Sequence, residues 1–123
     1  MTDESRAAYT ARSYRFPWAL VAWHHAPVGV DLERLGSVDR PFAESIATPA
    51  ERVELAGRPD PDSWVADLWC SKEALAKALG DAVLYDPRRL DAPIRWPDLR
   101  SGRWHAARVD SPPPGHVGWV CWR

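Results

Sequence analysis

Asp31 and Glu33 stand two residues apart in Val28-Gly29-Val30-Asp31-Leu32-Glu33, a run whose β-branched character predicts a strand. Residues i and i+2 of a strand point to one side, so the two carboxylates converge. Two oxygen donors on one face suit a hard cation such as Mg2+, shared with a substrate phosphate. The other reading of the pair is a charged strand end at the solvent boundary, with Arg34 as its partner. A second constellation lies further along the chain. Trp69, Glu73 and Lys77 are spaced i, i+4 and i+8, so on a helix they share a face, with Lys72 pointing sideways beside Glu73. Taken alone, Glu73 and Lys77 read as a solvated i,i+4 pair. Lysine scarcity argues for more. Of 16 lysines and arginines only Lys72 and Lys77 are lysine. A compact ammonium delivers a proton or neutralises a leaving phosphate, tasks that a guanidinium does poorly. A carboxylate from this helix facing Asp31 and Glu33 completes a metal site, a step that spacing alone does not supply.

Those side chains need a scaffold, and the rest of the chain describes one. Residues 1–12 are polar, carry both charge signs and show no apolar period, which predicts a loose arm ahead of a single domain over 13–123. The apolar run Trp18–Trp23 predicts a buried strand. His24-His25-Ala26-Pro27 interrupts it before Val28–Leu32, which predicts a hairpin connected through 24–27. Residues 41–47 predict a short helix. Thr48-Pro49-Ala50-Glu51 is a capping box with proline at the first helical position, opening a helix to about Ala56 that stops at Gly57. Asp60-Pro61 opens the clearest helix, which runs to the C-cap glycine Gly80. Trp64, Leu68, Leu75, Ala76 and Leu79 fall along its apolar stripe. Two strands follow, in RWHAARVD and HVGWVCWR, joined by the proline-rich turn SPPPG. The sum is an α+β fold.

Composition narrows the function classes. The chain has 123 residues, 46% of them hydrophobic and 27% charged, with a net charge of −1, as in one ordinary globular domain. A nucleic-acid binder would show a basic stripe, and no nucleic-acid partner is expected. Two cysteines, Cys70 and Cys121, make no disulfide framework, and no secretory leader is evident, so reduced thiols in a cytoplasm are expected. No apolar run reaches membrane-spanning length, and no membrane partner is expected. The eight tryptophans read as core or subunit interface, with a ligand platform as the other reading. His24 and His25 fall in a turn, His105 and His116 in strands, and no histidine–cysteine spacing suits zinc. Cys70 reads as a buried inert thiol, and Arg88-Arg89 as a solvated pair or a contact to an acidic partner. No glycine-rich phosphate loop is present.

The two constellations together resemble one family. Val28-Gly29-Val30-Asp31-Leu32-Glu33 is similar to (I/V)-G-(I/V)-D-(I/V/L)-E, and Trp69-Cys70-Ser71-Lys72-Glu73-Ala74 with Lys77 is similar to W-x-x-K-E-A-x-x-x-K. In this order and about forty residues apart, they resemble the 4′-phosphopantetheinyl transferases. The surfactin-synthetase type fits best, over roughly Trp18–Arg123 and only as the C-terminal half of a two-half enzyme. The resemblance implies an antiparallel sheet packed on a long helix. It implies Mg2+-dependent transfer of the phosphopantetheine arm from coenzyme A to a serine of an acyl or peptidyl carrier protein. By position, Asp31, Glu33 and Glu73 would hold Mg2+, Glu73 would help deprotonate the serine, and Lys77 would neutralise the departing 3′,5′-ADP. Lys72 would bind phosphate or brace the metal ligands. Ser13-Tyr14-Arg15 stands where the family has Ser-His-Ser, so Tyr14 and Arg15 are expected to face coenzyme A. The glycine-rich step after the helix is altered to Gly80-Asp81-Ala82-Val83. A single half implies a homo-oligomer, trimer or dimer, or a partner chain supplying the remainder. The alternative is a repurposed or silent relative that binds an apolar small molecule, as a cyclase or binding protein does.

Overall fold

A computed structural model describes residues 9–80 and 84–123. Strands β1 (Tyr9–Arg15) and β2 (Trp18–His24) pair antiparallel as a ribbon, with Ser13 opposite Leu20. Strand β3 (Val28–Arg34) belongs elsewhere. It pairs antiparallel with β6 (His116–Trp122), which pairs with β5 (Trp104–Arg108), and β5 carries the short β4 (Arg100–Ser101). The hairpin expected between 18–23 and 28–32 is therefore replaced by one between β1 and β2, turning at Phe16-Pro17. The expected arm over 1–12 is corrected likewise. Its residues 9–12 form most of β1, and residues 1–8 lie outside the described residues. The strand expected to be buried is half in solvent, with Trp18, Val21 and Trp23 all exposed.

Three helices follow β3. Helix α1 (Arg40–Ile46) is capped by Asp39, which accepts from the Phe42 amide at 2.7 Å. Helix α2 (Pro49–Ala56) opens on the capping box: Thr48 Oγ1 accepts from Glu51 N, and Glu51 Oε1 accepts from Thr48 N at 2.9 Å. Helix α3 (Pro61–Leu79) ends at Gly80 in the left-handed region, φ 84°. Asp60 sits at its N-cap without a side-chain hydrogen bond. Helix α3 lies across β3 and β6. One side packs Cys70, Ala74, Leu75 and Ala78 against Val117, Trp119 and Cys121 of the sheet. The other side packs Trp64, Val65 and Leu68 against Ala43, Ile46 and Ala47. Leu79, expected on the buried stripe, is 42% exposed at the last turn of the helix.

One contact sets the depth of the helix on the sheet. A Cβ on Gly29 would lie 2.0 Å from the Ala74 carbonyl oxygen and 2.5 Å from the Ala78 nitrogen. Both are backbone atoms and cannot turn aside. Gly29, Asp31 and Glu33 share a face of β3, so the close approach at Gly29 delivers the two carboxylates to α3. Gly29→Ala is expected to cost about 3 kcal/mol or more, beyond ordinary overpacking because no rotamer relieves it. Urea denaturation measures this, and a variant within about 0.5 kcal/mol of wild type would contradict the packing.

Candidate active site

The site forms where β1, β3 and α3 meet. Asp31 is buried on β3. Its Oδ1 accepts from Lys77 Nζ at 3.3 Å and from Ser13 Oγ at 3.3 Å, and Lys77 Nζ also donates to the Val30 carbonyl at 3.0 Å. Ser13 Oγ in turn accepts from the Leu32 amide at 3.1 Å. Asp31 Oδ2 is buried with no protein partner. Glu33, two residues on, accepts from Arg15 Nη2 through both carboxylate oxygens, at 2.8 and 2.5 Å. Glu73 reaches the group from α3. Its Oε2 accepts from the Tyr85 hydroxyl at 2.7 Å, and its charge raises the Asp31 carboxyl. The strand and helix spacings therefore bring Asp31, Glu33, Glu73 and Lys77 together as expected.

Two expected members are elsewhere. Lys72 is fully buried on the opposite side of α3 and donates to Glu51 Oε1 at 2.5 Å, the Ile46 carbonyl at 2.6 Å and the Pro87 carbonyl at 2.7 Å. All three of its donors are used. The phosphate or metal-bracing role expected of it is thus corrected to that of an internal tie among α1, α2 and residue 87. Burial lowers its basicity, and Glu51 pulls it back up. Tyr14 is 58% exposed. Strand alternation puts it on the face of β1 opposite Ser13 and Arg15, so it does not join the carboxylates. The sequence reading gave Ser13 a motif position but no role, and it missed Tyr85. Tyr85 carries no local signal and reaches the site only through the position of the segment after α3. Residues 81–83 of the altered glycine step lie outside the described residues.

Burial, helped by the Glu33 charge and opposed by Lys77, raises Asp31 from 3.8 to about 6. A raised carboxyl favours the fold in its protonated form. That contribution is fully present below 3.8 and is lost as pH climbs through about 6. The change amounts to about 3 kcal/mol. Asp31→Asn is therefore expected to melt higher than wild type near pH 7 and to flatten the stability slope between the two values. Thermal melts across that window test it, and a lower melting temperature near pH 7 would contradict it. Cys70 is buried, with its Sγ 3.1 Å from the Asp31 carbonyl, and burial pushes its thiol far above the usual value. It is inert, as expected.

The all-oxygen donor set and the orphaned Asp31 Oδ2 fit a hard divalent cation. No group of three ligating side chains among the described residues is arranged to hold one as it stands, and Arg15 and Lys77 are paired with two of the carboxylates.

Residues 27–118 match the family model described as the 4′-phosphopantetheinyl transferase superfamily. The chain belongs to that superfamily. The 4′-phosphopantetheinyl transferase psf-1 of Bacillus pumilus is 31% identical over 75 residues, covering 59% of this chain and 32% of that protein. The chain thus spans about a third of the length of this curated relative. A solved structure, the Chronobacterium ammoniagenes ACPS-CoA complex, aligns with a TM-score of 0.53 and 21% identity over 79% of this chain and 97% of that one. This superfamily fold, an antiparallel sheet on a long helix, is the architecture described above. The match 27–118 takes in β3, all three helices and β5, and so every member of the site except those on β1. No helix among the described residues is long and apolar enough to cross a membrane.

Proposed function

We propose that this domain transfers the 4′-phosphopantetheine arm of coenzyme A to a serine of an acyl or peptidyl carrier protein. The observation that carries the reading is the meeting of the buried Asp31 with the half-buried Glu33, Glu73 and Lys77, in a chain of this superfamily. Asp31, Glu33 and Glu73 would hold Mg2+, which when bound supplies charge neutralisation to the pyrophosphate. The serine Oγ attacks the phosphorus that carries the pantetheine arm, and the bond from that phosphorus to the bridging oxygen of 3′,5′-ADP breaks. Glu73 takes the serine proton, directly or through water. Lys77 turns from Asp31 towards the departing phosphate, and its side chain, 32% exposed, has room to do so. Ser13 and Tyr85 are positioning residues: the one holds Asp31, the other fixes one oxygen of Glu73.

In this reading the residues form one lobe of a surfactin-synthetase-type enzyme, acting as an oligomer or beside a partner chain. The match to a third of the Bacillus pumilus relative supports it. So do the exposed Tyr14, Val21 and Trp23 on β1 and β2, an apolar strip that a neighbouring surface would cover. The test incubates the protein with coenzyme A, Mg2+ and apo carrier proteins of both classes, and reads the carrier's mass. A gain of one phosphopantetheine on the serine, lost when coenzyme A is omitted, supports the reading. Unmodified carriers from a folded, coenzyme-binding protein would count against it.

A further inference from the structure

The cations inside the site are as informative as its carboxylates. Arg15 spans both oxygens of Glu33 through one nitrogen, while its Nη1 donates to the Tyr14 carbonyl at 2.9 Å. The pair is asymmetric: the Arg15 side chain is 41% exposed and the Glu33 side chain 14%. Glu33 is fixed on β3 between sheet and helix. Arg15 ends β1 at the turn of the ribbon, with its side chain on the solvent side of the pair. Lys77 stands in the same relation to Asp31. Three carboxylates against two side-chain cations leave one uncompensated negative charge. A divalent cation arriving alone would crowd against Arg15 and Lys77 at the oxygens they already hold. A pyrophosphate arriving alone would face three carboxylates. Arriving together, they let the side-chain cations move onto phosphate oxygens and release Glu33 and Asp31, and little net charge accumulates.

We propose that Arg15 is an internal counter-ion. It holds Glu33 until a pyrophosphate draws it away, so that the divalent cation and the coenzyme's pyrophosphate bind as a coupled pair. The inference rests on the function proposed above and adds a binding role for Arg15 on the metal side of the site. Linkage makes the coupling reciprocal: the factor by which coenzyme A tightens the metal equals the factor by which the metal tightens coenzyme A.

The experiment titrates Mn2+ into the protein, with free Mn2+ read by paramagnetic resonance, alone and with saturating coenzyme A, each against the same titration without protein. Wild type is expected to bind Mn2+ weakly alone and about tenfold tighter with coenzyme A. Arg15→Gln is expected to bind Mn2+ alone at least about threefold tighter than wild type, since the competing cation is gone, and to show a smaller gain from coenzyme A. Arg15→Lys is expected to fall between the two, because an ammonium does not reproduce the guanidinium fork. Thermal melts confirm that each variant is folded. Arg15→Gln with unchanged or weaker Mn2+ affinity, or with the full wild-type gain from coenzyme A, overturns the inference while leaving the transferase reading standing. Wild type that binds coenzyme A and Mn2+ independently also overturns it. Wild type that binds neither removes the transferase reading and the inference together.

Discussion

Lys72→Met is expected to lower stability by about 3–5 kcal/mol, a third or more of the stability of an ordinary domain and nearly all of it for one at the low end of the range. The magnitude comes from what the substitution leaves behind. Glu51 is fully buried; its Oε1 accepts from Lys72 and the Thr48 amide, and its Oε2 from the Ala92 amide at 2.9 Å. Without the ammonium, a carboxylate stays buried with backbone amides and the more distant Arg95, 4.0 Å away, as its remaining support. The Ile46 and Pro87 carbonyls lose their donor as well. Replacing both partners, as Glu51→Met with Lys72→Met, removes the stranded charge and is expected to recover part of the loss. Full recovery is not expected, because the Thr48 and Ala92 amides then lack acceptors. Chemical denaturation of the single and double variants reads both effects. A single variant within about 1 kcal/mol of wild type would contradict the role given to Lys72.

The largest effect on activity belongs to Glu73. Glu73→Gln keeps the shape of the side chain and an oxygen for Tyr85, yet it cannot take a proton or hold a cation as a carboxylate does. Transfer is expected to fall by about 10²–10⁴-fold with little change in melting temperature. Tyr85→Phe deletes only the hydroxyl that holds Glu73 and is expected to lower kcat about tenfold with KM for coenzyme A unchanged. Lys72 variants should behave differently. Their activity loss follows the unfolded fraction and recovers on cooling, whereas that of Glu73→Gln does not. Single-turnover transfer on one carrier, measured at two temperatures, separates the classes. Glu73→Gln at wild-type rate would remove the proposed base.

Local chemistry was readable in the sequence, and partner choice was not. The capping box at Thr48–Glu51, the proline opening α3 and the glycine closing it are each decided within a few residues, and each stands where expected. The α+β order follows from the same signals. The apolar run 18–23 announces a strand but says nothing about its neighbour. The ribbon with β1 was hidden because β1 mixes polar and charged residues without an apolar period. The candidate site shows the same divide. Spacings of two on a strand and of four on a helix predict that Asp31, Glu33, Glu73 and Lys77 face one another, and in the structure they come together. Lys72 was misplaced because its partner is Glu51, a residue whose local role in the capping box accounts for only part of its bonding. Arg15 is expected from the resemblance to face coenzyme A, and in the structure it rests on Glu33. That contact depends on how β1 lies beside β3, which no local pattern encodes.

Calorimetric titration of the folded protein with coenzyme A, with and without Mg2+, tests the central claim most directly because it needs no choice of carrier. Saturable binding that tightens when Mg2+ is added, and that loses this tightening in Asp31→Asn, is the predicted result. No binding of coenzyme A under either condition, from protein shown by its melt to be folded, would contradict the claim that Asp31, Glu33 and Glu73 form a coenzyme site in this chain.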